Sequence, residues 1–328
     1  MGHFHWYTTF PNLPFSTSRS QPPVLNLPFS TSRSQPPSFF HGSLAFSDCG
    51  RFLAGVGKDE RNRTLVVVWD ISLAPLALRR SVRIPIVAKQ ISEFEVRRIR
   101  FSPYDPMQLV SCGRENIRFW RMKNGHLRGC PVILNEYARD TQFTDLAFES
   151  SYGPRPMEGM AQRHVFVATE AGTVVQVDYE SKALECVFKL HDAAIHSIAI
   201  NEGFCVTGSA DRYLRVWPLD FSDFFLEAEH EGAVSSVDVS QDGLRLAIGT
   251  HDGTLGVLDV ASHAYQTILR SHTDAVLALA VDPDPTRQEV RRAAYIPCVP
   301  VYPRTRVLYA VCAVCCILCV LHAVYCVC

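Results

Sequence analysis

The chain has 328 residues, of which 47% are hydrophobic and 20% charged, and its formal net charge at pH 7 is -1. A charge this close to zero gives no overall electrostatic attraction to nucleic acid, so we expect no nucleic-acid partner. The length suits a single all-β domain of about seven small sheets.

Residues 1–40 are predicted to form a disordered arm. The segment NLPFSTSRSQPP at 12–23 recurs unchanged at 26–37 and is rich in serine and proline. Such a composition offers too little apolar area to offset the entropy of ordering the backbone. We therefore expect the folded domain to begin at residue 41.

Six short segments alternate apolar with smaller or polar residues, as a strand does when one face packs into a core. Their apolar pairs are Leu44/Phe46, Ile99/Phe101, Leu146/Phe148, Ile198/Ile200, Val237/Val239 and Leu279/Val281. His191, His230 and His272 open the last three segments. This self-similarity, with a period near forty residues, is typical of an array of stacked small sheets.

Each of the first five segments is followed by three more predicted strands. In the fourth unit a second run at 205–209 precedes a tight polar turn at 210–212 and a third strand at 214–217. The small residues of the second runs suit positions where neighbouring sheets approach closely. Four strands make one propeller blade. The sequence therefore predicts an all-β propeller over 41–283, with five complete four-stranded blades and the first strand of a sixth.

The third strands carry the residues by which the chain resembles WD40-repeat proteins. Trp69-Asp70 matches the dipeptide that names the family, and Trp120 and Trp217 hold the same tryptophan position. In that family a histidine before the first strand, a serine or threonine on the second, an aspartate in the turn and the tryptophan form a buried hydrogen-bonded set. The resemblance implies a β-propeller that binds other proteins.

The resemblance also implies that the repeated histidines are structural. The fourth blade supplies the full set as His191, Thr207 or Ser209, Asp211 and Trp217. The fifth supplies His230, Thr250 and Asp252, with Leu258 in the place of the tryptophan. A buried imidazole needs both ring nitrogens satisfied, and a hydroxyl with a carboxylate can do this. A catalytic or metal-binding role is the alternative, but the histidines occur once per blade, so we predict no metal and no cofactor.

Longer strings such as GRENIRFW and LGVLDVAS resemble, more narrowly, a branch of long WD-repeat proteins of the centriole. This implies a scaffold in centriole assembly and cilium formation, located at the centriole or ciliary base, with centriolar or microtubule-associated proteins as partners. Members of that branch begin with a microtubule-binding domain that has no counterpart here, so direct microtubule binding is not carried over. The chain is expected to be a fragment or short isoform.

We expect partner recognition to fall on the turns between second and third strands, because a rigid sheet presents short variable turns. The candidate contact residues are Arg114, Glu115, Arg212, Tyr213 and His251, with ordinary solvated turns as the alternative interpretation.

The sequence has neither a nucleophile elbow nor a phosphate-binding glycine loop, so we predict no enzyme activity. A propeller hydrolase would need a cluster of polar side chains in the central channel.

A basic cluster lies around the start of the second blade. It comprises Arg79, Arg80, Arg83, Arg97, Arg98 and Arg100. Because Arg98 and Arg100 flank the inward Ile99, we interpret them as outward residues on a solvated strand face rather than as a ligand patch.

The carboxyl end has a different composition. After a linker at 284–306, residues 307–328 carry no formal charge, and seven of the twelve cysteines lie from Cys298 onward. The segment is long and apolar enough for a tail anchor, which makes a membrane-bound adaptor the alternative function. Recurrent Val-Cys pairs instead favour translated intronic sequence.

A third hypothesis for this segment is a metal site, which would use Cys312, Cys315, Cys316 and Cys319. The five other cysteines are scattered through the blades, which suits a reducing cytoplasm.

Overall fold

The computed structural model describes residues 43–59, 61–72, 84–134, 137, 140–149, 163–201, 203–240, 242–269, 275–276, 278–281 and 290–293. All of them lie within Pro36–Cys328. The predicted arm at 1–40, the apolar tail at 307–328 and His272 lie outside the described residues.

Twenty strands form five antiparallel units of four. The first unit contains β1 (Leu44–Phe46), β2 (Phe52–Lys58), β3 (Thr64–Asp70) and β4 (Ile86–Ser92); the second contains β5 (Val96–Phe101), β6 (Gln108–Gly113), β7 (Asn116–Lys123) and β8 (His126–Pro131). The third contains β9 (Phe143–Phe148), β10 (His164–Thr169), β11 (Thr173–Asp178) and β12 (Leu184–Lys189). The fourth contains β13 (Ile195–Ile200), β14 (Phe204–Ser209), β15 (Tyr213–Pro218) and β16 (Leu226–Glu229), and the fifth β17 (Val234–Val239), β18 (Arg245–Thr250), β19 (Leu255–Asp259) and β20 (Tyr265–Leu269). The prediction of five four-stranded blades is confirmed.

The blades depart from the predicted pattern in two places. The outer strands of the first two blades pair in parallel at Lys89 and His126, which joins these blades into one eight-stranded sheet. The predicted first strand of the sixth blade is present as β21 (Ala278–Val281). It pairs with a further strand, β22 (Val290–Ala293), which lies inside the range predicted to be a linker. The sequence VRRA has no alternating apolar pattern, so period two could not reveal this strand.

Among the described residues, four of the five hydrophobic clusters combine residues of two adjacent blades, and the fifth lies in the first blade. On β14, for example, Cys205 packs with residues of the third blade, whereas its neighbour Val206 packs with residues of the fifth. Successive side chains of a strand point to opposite faces, so each central strand serves two cores. Each blade is therefore stabilised chiefly by the blades on either side, as in other repeat architectures.

Small residues of the second strands sit where the next blade comes closest, as predicted. A Cβ atom added to Gly208 would lie 2.4 Å from Val234 Cγ1 of the fifth blade, and one added to Gly249 would lie 2.6 Å from Val276 Cγ1. Both distances are too short for a carbon–carbon contact, so only glycine permits this approach of the sheets.

A β-bulge recurs near the start of the inner strands of the second to fifth blades. The register shifts fall around Arg97, Thr144, His196 and Ser235. A bulge redirects the side chain of the extra residue. Thr144 Oγ1 thereby donates to the Ile195 carbonyl of the next blade at 2.5 Å, and Ser235 Oγ donates to the Val276 carbonyl at 2.6 Å.

The buried carboxylate of Asp145 links three inner strands. Arg98 Nε on β5 lies 3.1 Å from Asp145 Oδ1, and Arg100 Nη2 lies 3.2 Å from the same oxygen. Oδ2 accepts hydrogen bonds from Ser197 Oγ and the Ile198 backbone N–H on β13, both at 3.2 Å. Burial alone would raise the pKa of Asp145, but the two guanidinium groups outweigh it and the pKa is lowered. The second, third and fourth blades are thus joined through one charged group.

This geometry corrects the interpretation of the basic cluster. Arg98 and Arg100 are only partly solvated, because their guanidinium groups converge on a carboxylate that is 1% exposed. The remaining cation of the inner strand, Arg97, pairs instead with Glu170. Sequence reasoning missed the partner because Asp145 lies more than forty residues away on another blade.

Replacing Asp145 with asparagine should lower the free energy of unfolding by about 3 kcal/mol, because two guanidinium groups lose the charge that compensates them. Urea unfolding followed by tryptophan fluorescence measures this. The control is Asp223→Asn, an exposed change that should shift stability by less than about 0.5 kcal/mol. Equal effects of the two variants would contradict the assignment of Asp145 as a link between blades.

Candidate functional site

We define the turn face by the turns at 114–115, 170–172, 210–212 and 251–254 with the loops that lead into the inner strands. Backbone hydrogen bonds hold each turn to such a loop. Ala210 N donates to the Ala194 carbonyl at 2.8 Å, and His251 N donates to the Ala233 carbonyl at 2.9 Å. The turns are thereby fixed in position relative to the sheets, which suits them for presenting side chains.

A continuous chain of hydrogen bonds lies beneath the turn of the fourth blade. Trp217 Nε1 donates to Thr207 Oγ1 at 2.9 Å, Thr207 Oγ1 lies 2.7 Å from His191 Nε2, and His191 Nδ1 lies 2.8 Å from Asp211 Oδ2. The ionised carboxylate of Asp211 can only accept, so the neutral ring carries its proton on Nδ1 and donates it to Asp211. Nε2 is then the acceptor of the Thr207 hydroxyl proton, while Thr207 Oγ1 accepts from the indole N–H.

The sequence left open whether Thr207 or Ser209 belongs to this chain of bonds. The structure places Thr207 between the two rings, while Ser209 Oγ donates to the Ala193 carbonyl at 3.4 Å and accepts from Asp211 N at 3.2 Å. Burial lowers the pKa of His191, although Asp211 opposes the shift. The ring is therefore neutral at pH 7, in agreement with its two different hydrogen bonds.

The fifth blade lacks most of these bonds. His230 is buried, but its Nε2 has no hydrogen-bond partner among the described residues. Ile248 pairs with Val237 where Thr207 pairs with Ile198, so the hydroxyl is missing, and Leu258 replaces the tryptophan. Thr250 instead bonds to Asp252 and to the Thr254 backbone. Burial lowers the pKa of His230, and Asp252 opposes this only through its charge.

The remaining tryptophans are buried in different surroundings. Trp120 Nε1 donates to Ser111 Oγ at 2.8 Å, so the second blade keeps the tryptophan–hydroxyl bond. Trp69 packs with Leu53 and Ile84 in a core of the first blade.

The candidate contact residues lie on the turns of three blades. Arg114 is exposed and forms an isolated bridge with Gln142, while Glu115 has φ of 54° and receives a bond from Asp140 N at 3.2 Å. Arg212 is exposed and lies 3.0 Å from Glu229 of the same blade.

Tyr213 and His251 have partners of their own on this face. Tyr213 N donates to Asp211 Oδ1 at 2.9 Å, and the Arg215 guanidinium lies 5.4 Å from the Tyr213 ring centre. His251 is exposed, with its ring centre 5.1 Å from that of His196 on the fourth blade. Backbone and side-chain contacts thus hold these residues in place.

Sequence reasoning missed a set of residues beside the turns. Arg97 forms an ion pair with Glu170 of the third blade, and His196 packs on His251 of the fifth. Burial lowers the pKa of His196 and the neighbouring His251 lowers it further, while Glu170 opposes the shift. Arg97 and His196 are bulge residues, so no alternation pattern predicts where their side chains point.

The described part of the chain contains no group of three or more histidine, cysteine, aspartate or glutamate side chains arranged to hold a metal ion. Across the same residues, no helix reaches the length and apolarity that crossing a membrane requires. The cysteine set at 312–319 and the proposed tail anchor lie outside the described residues.

Comparison with known proteins agrees with this geometry. The WD40 family (WD domain, G-beta repeat) matches residues 183–218 and 225–259, which cover most of the fourth and fifth blades. The chain is a WD-repeat protein. It is 40% identical over 259 residues to WD repeat-containing protein 90 of Xenopus tropicalis, a match that covers 73% of this chain and 14% of that protein.

Two further proteins resemble this WD-repeat chain. Centriole proteome protein 16 of Chlamydomonas reinhardtii is 41% identical over 236 residues, or 68% of this chain and 11% of that protein. The β-propeller domain of Cps50 (Swd1) from Myceliophteria thermophila superposes with a TM-score of 0.58 at 15% identity and covers 74% of this chain and 76% of that domain. The first match covers a small part of a longer relative, whereas the second shows the fold alone.

Changing Thr207 to valine should lower the free energy of unfolding by about 2–4 kcal/mol, because the buried His191 Nε2 and Trp217 Nε1 both lose a partner. The matched control is Ile248→Val, the corresponding position of the fifth blade, where only a methylene is lost and about 1 kcal/mol is expected. Urea unfolding of both variants decides the question. A cost for Thr207→Val no larger than that for Ile248→Val would show that the hydroxyl carries no stability.

Stability should fall as the pH drops below 6.5, the unperturbed value from which burial lowers the pKa of His191 and His230. Between the lowered pKa values and 6.5 the unfolded chain binds more protons than the folded one, so the stabilisation is complete above 6.5 and is lost as the pH falls through the lowered values. The neighbouring Asp211 and Asp252 have pKa values lowered from 3.8 and act only at more acidic pH.

His230→Phe should therefore reduce the pH dependence of unfolding between about pH 7.5 and pH 5. The measurement is urea unfolding at several pH values, with His126→Phe on an exposed strand as the control. An unchanged slope for His230→Phe, or an equal reduction in the control, would contradict the assignment.

Proposed function

We propose that this WD-repeat chain is a non-enzymatic scaffold whose turn face, within the unit 41–283, docks other proteins. The observation that carries the proposal is the hydrogen-bonded support beneath the turn of the fourth blade. His191 and Thr207 connect the turn residue Asp211 to the buried Trp217, so the turn cannot move without breaking buried bonds. A surface held in one conformation loses little entropy on binding.

Arg114, Glu115, Arg212, Tyr213 and His251 are proposed as contact residues of this face. Three of them project from turns of different blades, so a partner that touches all of them must span the second, fourth and fifth blades. Such a wide, mixed-charge surface fits a folded protein partner better than a small molecule, which binds in an enclosed and mostly apolar pocket.

The surroundings of Asp145 support a scaffold rather than a hydrolase. Asp145 accepts bonds from Arg98, Arg100, Ser197 and backbone N–H groups, and the positive charge around it lowers its pKa. A general base needs a pKa nearer the working pH and a free lone pair facing substrate. The carboxylate is used instead to join blades.

We further propose that the scaffold acts in centriole assembly and cilium formation, at the centriole or ciliary base, with centriolar proteins as partners. The support is the similarity to WD repeat-containing protein 90 and to Centriole proteome protein 16. This chain spans only 14% of the first of these relatives, so the proposal concerns the docking role of these blades.

The test is the double variant Arg114→Glu/Arg212→Glu, expressed as a tagged full chain in ciliated cells. We expect the unaltered chain to co-localise with a centriole marker and the variant to lose most of this signal, because two contact charges are reversed. Proximity labelling then compares the centriolar proteins near each chain.

The control is Arg121→Glu/Arg128→Glu, which reverses two charges on the outer strands of the second blade. Near-ultraviolet circular dichroism confirms that all chains fold. Diffuse localisation of the unaltered chain would reject the centriolar role, and equal localisation and labelling for the Arg114→Glu/Arg212→Glu variant would reject the turn face.

A further inference from the structure

The end of the blades opposite to the turn face carries its own ordered surface. β15 runs away from the turn face and ends at Pro218, after which a loop leads to β16 at Leu226. β17 also runs to this end, and the turn that follows it leads into β18 at Arg245. The loop of the fourth blade and the turn of the fifth therefore share one face.

The loop before β16 is anchored in the core. Phe221 is buried, with its ring centre 5.4 Å from that of Phe166 and 4.7 Å from that of Phe188 on the third blade. Its backbone N–H donates to the Pro218 carbonyl at 3.0 Å, and Phe225 N donates to the Val216 carbonyl at 3.0 Å. These contacts fix both ends of the loop.

Three large apolar side chains remain exposed on this ordered frame. Phe224 is 42% exposed, Phe225 50% and Leu244 52%. We call these three residues the aromatic patch. The Phe225 ring lies 6.2 Å from the Phe204 ring, and a Cβ added to Gly243 would lie 3.4 Å from Phe204. Phe204 thus connects the loop to the turn that carries Leu244.

The turn that presents Leu244 is fixed as well. Gly243, with φ of 69°, donates through its backbone N–H to the Ser240 carbonyl at 2.9 Å. Leu244 N donates to Asp242 Oδ1 at 3.0 Å, and Ser240 Oγ donates to the same oxygen at 2.5 Å. Hydrogen bonds therefore hold Leu244 in its exposed position.

Carboxylates surround the aromatic patch. Asp220 and Asp223 flank the aromatic residues of the loop, and Asp242 precedes Leu244; all three are exposed. Bonds from the backbone and side chain of Ser222 lower the pKa of Asp220, and bonds from Ser240 and Leu244 lower that of Asp242. Two cations lie beside the patch among the described residues: Arg245 follows Leu244, and the Arg215 guanidinium lies 5.2 Å from the Phe224 ring centre. Arg215 is paired with Glu227 at 2.6 Å, so the three exposed carboxylates outnumber the one exposed cation.

We propose that the aromatic patch is a second docking surface that binds a peptide segment with apolar side chains flanked by lysine or arginine. Rigid aromatic residues exposed at low entropy cost are typical anchors of protein interfaces. The surrounding carboxylates select basic flanks and repel acidic ones, because like charges across an interface are costly. The same carboxylates oppose binding to an anionic lipid surface.

This surface uses no residue assigned to the turn face. The Arg215 guanidinium lies between the two, 5.4 Å from the Tyr213 ring centre and 5.2 Å from the Phe224 ring centre, whereas Phe225 and Leu244 lie beside Phe204. A chain with two such faces can hold two partners at once, which gives the scaffold a means of joining them.

The experiment measures fluorescence anisotropy of labelled peptides of about twelve residues with the full chain. One peptide contains leucine and lysine, a second contains leucine and glutamate, and a third contains serine and lysine. We expect the leucine–lysine peptide to bind at least about tenfold more tightly than either of the others. Raising the ionic strength from about 0.05 to about 0.5 M should weaken this binding severalfold.

Two variants locate the site. Phe225→Ala/Leu244→Ala should weaken binding of the leucine–lysine peptide by about tenfold, whereas Ile133→Ala, at an exposed apolar residue elsewhere, should leave it unchanged. Asp223→Lys should weaken it severalfold and Asp192→Lys, on the turn face, should not. All five substituted positions are solvent-exposed, and circular dichroism checks the fold of each variant.

Four results would overturn the proposal. The first is equal affinity for the three peptides, and the second is unchanged affinity in the Phe225→Ala/Leu244→Ala chain. The third is loss of peptide binding in Arg114→Glu/Arg212→Glu alone, which would assign the peptide to the turn face. The fourth is either of two results that name another occupant. Sedimentation that shows a dimer, lost in the Phe225→Ala/Leu244→Ala variant, would indicate a second copy of the chain. Binding to phosphatidylserine vesicles that this variant abolishes would indicate a lipid surface.

Discussion

The structure depends on the burial of the sheets against one another, since four of the five hydrophobic clusters in the described part of the chain combine residues of two adjacent blades. The four-stranded sheets have apolar residues on both faces, so one blade alone leaves apolar area exposed. Cys205 and Val206, adjacent on one strand, belong to different cores for this reason. The glycines of the second strands then become necessary, because the side chains of the next blade occupy the space where a Cβ would stand. Polar side chains on the inner strands add hydrogen bonds and ion pairs between blades. Asp145, for example, bonds to residues of both flanking blades.

The hydrogen-bonded set of the fourth blade shows how a turn becomes part of that packing. Thr207 alone satisfies both a histidine and a tryptophan, and the chain of bonds ends at the turn residue Asp211. In the fifth blade isoleucine and leucine replace the hydroxyl and the indole, and His230 Nε2 is left without a partner in the described structure. The two blades have the same strand pairing, so the fold does not require the set. Its contribution is local: it fixes the conformation of one turn against one sheet.

The two proposed docking faces follow from this rigidity. On the turn face, buried bonds hold the turn of the fourth blade, and backbone hydrogen bonds hold the turns of the other blades to neighbouring loops. On the opposite face, Phe221 anchors a loop that keeps Phe224 and Phe225 exposed. Mobile apolar side chains would tend to collapse onto the surface, whereas these are held by backbone hydrogen bonds at both ends of the loop. A scaffold needs surfaces of this kind, because a partner then binds without ordering the chain.

Period-two alternation and the spacing of the histidines determined the number of blades, their strands and the candidate turns. A strand that buries one face needs apolar residues at alternate positions, and this pattern is visible in the local sequence. The members of the histidine set are implied by the resemblance to WD40 repeats, except for the choice between Thr207 and Ser209, which depends on strand register. Only the tertiary structure decided that Arg98 and Arg100 share Asp145, that His196 packs on His251, and that Phe224, Phe225 and Leu244 lie on one face. Each of these groups joins residues of different strands or blades, through bulges and loops, and no local pattern encodes which distant side chain a redirected residue meets.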